Sequence, residues 1–143
     1  MGLDTTHGCF RGSYSGFQRL RKSIARACGG AYGPFDEEYD ATFLAAIRKE
    51  GNIPDHSKWY YETKVVPVEY REGMDIFLCH SDCDGKIVPE DAVKIAVFLR
   101  WVAPLVEATD TQYPGTKSIG GAVLQFAEGC EWAASLNEPV LFQ

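Results

Sequence analysis

Apolar residues recur at helical spacing in four stretches of the chain. Over residues 13–28, Tyr14, Phe17, Leu20, Ile24 and Ala27 fall on one face, and Gly29-Gly30 supplies a stop. Asp36 is placed to cap a second helix, which buries Tyr39, Phe43, Ala46 and Ile47 before Gly51 ends it. Pro89 at a first helical position opens a third, with Ala92, Ile95, Ala96, Leu99, Val102 and Val106 inward. Pro104 is expected to kink or end it. A fourth spans roughly 118–136, with Val123, Phe126, Ala127, Cys130 and Ala134 inward and Gly120, Gly121 and Gly129 weakening it.

Strand signals are shorter. Trp59 to Tyr70 is rich in aromatic and β-branched residues and reads as one edge strand, or two broken by Pro67. Met74 to Cys79 reads as a buried strand, and Pro139 to Gln143 as a short terminal one. Residues 52–58 and 109–117 read as loops. No repeat, low-complexity tract or linker divides residues 1–143, so a single domain is expected. Strands and helices are segregated, which predicts an α+β fold: a small antiparallel or mixed sheet flanked by about four helices.

Composition adds limits. With 143 residues, 45% hydrophobic and 24% charged, the chain can bury a core without covalent staples. No apolar run approaches the roughly 20 residues that span a bilayer, and the start has no secretion-signal pattern. A cytoplasmic protein with no membrane partner is expected. The start does satisfy the bare myristoylation pattern, with Thr6 in place. Cys9, Cys28, Cys79, Cys83 and Cys130 are scattered and contain no Cys-x-x-Cys, so most are expected to be reduced and buried.

The net charge of −6 conceals an asymmetry: residues 1–30 carry +4 and the remainder −10. Such a chain is a poor binder of duplex nucleic acid, yet its basic segment can hold a small anion. His7, Arg11, Tyr14, Arg19 and Lys22 lie in or just before the first helix. If residues 11–13 already approach helical geometry, Arg11, Ser15, Arg19, Lys22 and Arg26 form one stripe. For Arg21, Lys22 and Arg26 the plain reading is a solvated face. For His7, Arg11 and Tyr14 a solvated face and a specific contact both stay open; in the second, Arg11 and Arg19 meet phosphate and Phe10 or Tyr14 stacks on a base.

The second concentration of chemistry is His80-Ser81-Asp82-Cys83-Asp84-Gly85-Lys86-Ile87. As a calcium loop with Gly85 at its sixth position, it has Asp82, Asp84, Ile87 and Asp91 in register. Against this stand His80 at position 1, Asp91 in place of Glu at position 12, and an incoming element that reads as a strand. A transition metal would need His80, Asp82 or Asp84, and His7 or His56, but the spacing supplies no specific third ligand. As a polar ligand site, His80 and Ser81 donate while Asp82 or Asp84 holds ribose hydroxyls. As a plain turn, the aspartates satisfy backbone amides and Gly85 supplies a positive φ. No cofactor and no metal are expected.

Three segments give the chain a family likeness. They are Met1-Gly-Leu-Asp-Thr-Thr-His7 with Phe10, Gly12-Ser-Tyr14-Ser15 and Phe17-Gln-Arg19; His80 to Ile87; and Gln125-Phe126-Ala-Glu128-Gly129 with Glu138-Pro-Val140-Leu-Phe142. Together these resemble small, mostly uncharacterised proteins of bacteriophage and prophage genomes, above all those of actinobacteria. Lys86 stands where members carry an acidic residue, Val123 and Leu124 where they tend to carry basic ones, and residues 30–73 match little.

The resemblance implies an accessory role in an infected bacterial cell, with disarming of host immunity as one form of it. The leading expectation is a homo-oligomeric protein that binds and sequesters a nucleotide-derived immune messenger, a cyclic oligonucleotide or an ADP-ribose derivative. Its ligand residues would be His7, Phe10, Arg11, Tyr14, Arg19, His80, Ser81, Asp82 and Asp84. One alternative is a phosphodiesterase using His7 and His80 as acid and base, with Asp82 or Asp84 orienting one of them. Another is a protein–protein inhibitor whose acidic body meets a basic host surface. The first two require His80 and the N-terminal segment to share a site.

Overall fold

The computed structural model describes residues 2–28, 66–80, 85–109 and 119–143. Strand β1 (Gly2–Asp4) runs into a 3-10 turn at Thr6–Gly8 and returns as β2 (Arg11–Ser13), which leads directly into α1 (Tyr14–Ala27). Then come α2 (Val68–Cys79), β3 (Lys86–Ile87), α3 (Pro89–Thr109), α4 (Ile119–Ser135) and β4 (Val140–Leu141). The fold is α+β and dominated by helix, with four helices and two small antiparallel sheets among the described residues. No helix there is long and apolar enough to cross a membrane.

Helix α3 is the centre of the packing. It lies along α4 and also meets α2 and α1. Ala92, Ile95, Ala96, Leu99, Val102 and Val106, the stripe expected from the sequence, are all buried. Gly73 of α2 lets that helix cross α3 closely, since a Cβ there would lie 2.8 Å from the Lys94 carbonyl carbon. Phe17 of α1 sits where the layers meet. Its ring centroid lies 5.1 Å from Phe10, 5.9 Å from Phe77, 6.0 Å from Phe126 and 5.9 Å from Phe142.

The sheets are joined through the C-terminal strand. In the β1–β2 hairpin Gly2, Leu3 and Asp4 face Ser13, Gly12 and Arg11; in the other pair Lys86 and Ile87 face Leu141 and Val140. Thr5 bridges to Phe142, the Asp4 carbonyl accepts from the Gln143 amide at 2.9 Å, and the Phe142 amide donates to the Gly85 carbonyl at 3.1 Å. The segment after α4 therefore lies between the hairpin and β3.

Several expectations are corrected. Residues 68–79 form a helix, not the end of one strand and the whole of another. Met74, Phe77 and Leu78 are buried on its inner face at helical spacing. Pro104 neither stops nor shortens α3, which runs on to Thr109. Pro104 faces solvent, where water can satisfy the carbonyl that its missing N–H would have met. Arg11–Ser13 is strand, so the cationic stripe of α1 does not extend back to Arg11. The helix expected from Asp36, the strand expected over 59–65 and the loop at 52–58 lie outside the described residues; of the loop expected at 109–117, Thr109 ends α3 and the rest lies outside them too.

Candidate functional site

The N-terminal hairpin is tied to the rest of the molecule by its turn. Thr5 closes the loop with its hydroxyl, which accepts from the Phe10 amide at 2.7 Å and donates to the Phe10 carbonyl at 3.0 Å. His7 and Gly8 both take left-handed conformations, with φ of 62° and 70°. For His7 that conformation costs about 1–2 kcal/mol and has to be held by neighbours.

Three kinds of contact hold it. The His7 Nδ1 lies 2.9 Å from Thr6 Oγ1, its ring meets Trp132 edge-on with centroids 5.3 Å apart, and Nε2 is 3.9 Å from the Glu138 carboxylate. The Gln125 side-chain amide donates to the Gly8 carbonyl at 3.0 Å, and the Leu141 amide donates to Thr6 Oγ1 at 2.9 Å. Cys9 then packs on Gly129 so closely that a Cβ there would lie 2.9 Å from the Cys9 amide nitrogen.

His80 has a different setting. It is the C-terminal cap of α2, not the end of a strand. Its Nε2 lies 3.0 Å from the Lys86 carbonyl and its ring centroid 4.4 Å from that of Phe142. Gly85 has φ +95°, as a turn glycine should. The expectation of an incoming strand is thus overturned: the element before His80 is helix α2, and β3 and helix α3 follow from Lys86. The Lys86 carbonyl, which would face a cation in a calcium loop, is engaged here by His80. Ser81, Asp82 and Asp84 lie outside the described residues. Among the described residues no group of three metal-ligating side chains occurs.

The two histidines therefore sit on different supports, His7 on Trp132 and Glu138, His80 on Phe142 and the Lys86 carbonyl. The segment 138–142 connects them. The His7 turn and the His80 cap meet along it, and Gln125 and Gly129 of α4 hold the same turn through Gly8 and Cys9.

A cavity of about 440 Å³ opens on the other flank of the hairpin, between β2 and the first turns of α1. Phe10, Arg11, Gly12, Ser13, Ser15, Gly16 and Arg19 line it. Of the expected ligand residues it gathers Phe10, Arg11 and Arg19. Arg11 is exposed and Arg19 half-buried. Phe10 packs against Phe17 in a tilted pair and turns its ring edge toward Gly12. Tyr14 is not part of the lining; it is half-buried against the core.

The cavity also lies at a helix N-terminus. Ser13 caps α1, its hydroxyl accepting from the Gly16 amide at 2.9 Å, and Ser15 Oγ lies 3.1 Å from Ser13 Oγ. No acidic residue occupies the first turn, so the positive end of the helix is not neutralised from within. Backbone polarity, two hydroxyls and two guanidinium groups make this the most anion-receptive feature among the described residues. Reading the sequence missed Ser13 and Gly16, although a serine directly before an amphipathic run is an N-cap signal.

Arg21 was also misread. It is not part of a solvated face but buried, with its guanidinium 4.4 Å from the centroid of the Phe17 ring and 5.7 Å from that of Phe77. Its position four residues after Phe17 was the available signal, since i and i+4 meet on a helix. Cys9, Cys28 and Cys130 are free and buried. Burial pushes the Cys28 thiol up to about 12, and Cys130 is held well above the ordinary range by its hydrogen bond with Cys9 and by burial. Cys28 and Cys130 are therefore poor nucleophiles.

Compared with family models, curated proteins and solved structures, the chain matches none.

Proposed function

We propose that the protein binds and sequesters a small phosphate-bearing ligand of the nucleotide class, in the cleft between β2 and the start of α1. The observation that carries this is the pairing of Arg11 and Arg19 around a cavity of about 440 Å³ at a helix N-terminus whose first turn holds no acidic residue. Cavities of about 300–1,000 Å³ suit small ligands, and Arg forks with helix amides suit phosphate. Phe10 offers the cleft a ring edge, so a base would be met by apolar contact more than by full stacking. His7 supports the turn from behind and is not a ligand residue in this reading. The resemblance to phage proteins gives the ligand a biological setting, a host immune messenger in an infected cell.

The test is native mass spectrometry with cyclic dinucleotides and ADP-ribose derivatives, which reads ligand stoichiometry and the expected homo-oligomer together. Binding should weaken about tenfold or more in Arg11→Ala and in Arg19→Ala, since a charge-assisted hydrogen bond contributes roughly 1.5–3 kcal/mol. Arg11 is exposed, so Arg11→Ala should leave the melting temperature unchanged. No binding by any of these ligands, or binding unchanged from wild type in both variants, removes the proposal. A ligand recovered cleaved would turn the reading to an enzyme.

A further inference from the structure

Helices α3 and α4 run antiparallel, as the Arg100–Glu131 ion pair and the bond from the Gly120 amide to Glu107 show. Their outer seam holds two apolar cavities. The first, about 430 Å³, has Val93, Val97 and Ala134 in its walls; the second, about 340 Å³, has Ala103, Pro104 and Leu124. On α3 the seam follows Val93, Val97, Arg100, Pro104 and Glu107, one helical face about 21 Å long at 1.5 Å per residue. The cavities are about seven residues apart along it, or roughly 10 Å, two turns of helix.

Two properties separate this seam from an ordinary solvated surface. Val93 and Val97 are 52% and 49% exposed. β-branched residues are mediocre helix formers, and exposed helix positions that serve only solubility carry Lys, Glu or Ala. The charge is also one-sided. Arg100, the cation in the walls of the seam, is already engaged by Glu131 at 2.6 Å, while Lys94 turns away from it to Glu72 of α2. Glu107 lies in the wall of the second cavity and Glu128 adds its field at Arg100, which leaves the seam negative.

We infer that this seam is a docking groove for a basic amphipathic helix of a partner protein. Apolar residues at i and i+7 of that helix fill the two cavities, and a Lys or Arg between them competes with Arg100 for Glu131 and Glu128. Helix-in-groove recognition reads anchors at this spacing, and the acidic rim selects the sign of the partner. The groove is independent of the proposed nucleotide cleft and lined by none of the same residues.

Fluorescence anisotropy with three labelled 15-residue peptides tests this. One is an amphipathic Leu/Lys helix, one has the same composition scrambled, and one replaces every Lys by Glu. The Leu/Lys helix should bind at least tenfold tighter than either control, and 0.5 M salt should weaken it. Val97→Arg and Leu124→Glu, one in each cavity, should each lose about tenfold while keeping the wild-type circular dichroism spectrum. Equal binding by the scrambled peptide, or unchanged binding in both variants, overturns the inference. So does a concentration-dependent dimer, seen by sedimentation, that excludes the Leu/Lys peptide, because the occupant would then be a second copy.

Discussion

Two cavities of nearly equal size, about 440 and 430 Å³, differ in every other respect. The first is built by a hairpin and a helix start and presents arginines, hydroxyls and backbone amides. The second lies between two long helices and presents valines and alanines, with an ion pair at its edge. Volume alone would rank them together. What separates them is the type of element that makes each wall: helix starts expose N–H groups, whereas paired helix sides expose only side chains. The first therefore suits a small anion and the second an apolar helix.

The comparison breaks most severely at Phe17, which supports both regions. Phe17→Ala should cost about 3–5 kcal/mol, measured by urea unfolding, and both kinds of binding should suffer together. If nucleotide binding alone is lost, the two regions are less coupled than the shared aromatic cluster implies.

Gly129→Ala separates them. The added methyl meets the backbone of Cys9, so the hairpin has to move from α4 at a cost of about 1–3 kcal/mol. The cleft at β2 should lose affinity while the outer seam keeps its peptide, because Gly129 faces inward. Equal losses at both would mean that α4 itself shifts.

A pH-dependent effect comes with alkali and concerns the helix that bears the cleft. Cys28, capping the far end of α1, is raised from 9.0 to about 12 by burial. Its neutral thiol is favoured by folding, so the contribution is intact below about pH 9 and is lost as pH rises toward 12. Unfolding measured across that range should show a decline that Cys28→Ala removes. A decline of the same size in the variant would assign it to other groups. Last and least, Glu131→Gln should shift Tm by about 2 °C or less, since exposed ion pairs add little stability. A larger shift would make Arg100–Glu131 a structural clamp and not part of a groove that can open to a partner.

The long elements were legible because their apolar periodicity extends over several turns. Helices α1, α3 and α4 and the terminal strand lie where the pattern put them. Helix α2 was not legible, because Met74-Asp-Ile-Phe-Leu-Cys79 is a short apolar run that fits either a buried strand or a helix. Gly73, present to admit the Lys94 backbone, weakens its helical signal further. The hairpin was missed because its strands are three residues each and its turn depends on a left-handed histidine, a residue not usually read as a turn former.

The site was legible by residue type more than by geometry. Arg11, Arg19 and Phe10 do border one cavity, but Tyr14 packs on the core and His7 buttresses the turn. Linear sequence marks which residues can do chemistry; the direction in which each points depends on the strand-to-helix switch at Ser13, where the repeat changes from two to 3.6.

The bonds between Asp4 and Gln143 have a kinetic consequence. Partners so far apart in sequence give the first sheet a high contact order, and loop closure has to be paid before those bonds return anything. Asp4 leaves the ribosome long before Gln143 does. Until then Leu3, Cys9 and Phe10 have no finished surface to pack on, and the cleft at Arg11 has no fixed wall. Ligand competence should thus follow formation of the helical core, because the clasp of Asp4 and Thr5 with Phe142 and Gln143 can close only once all the helices between them have been made.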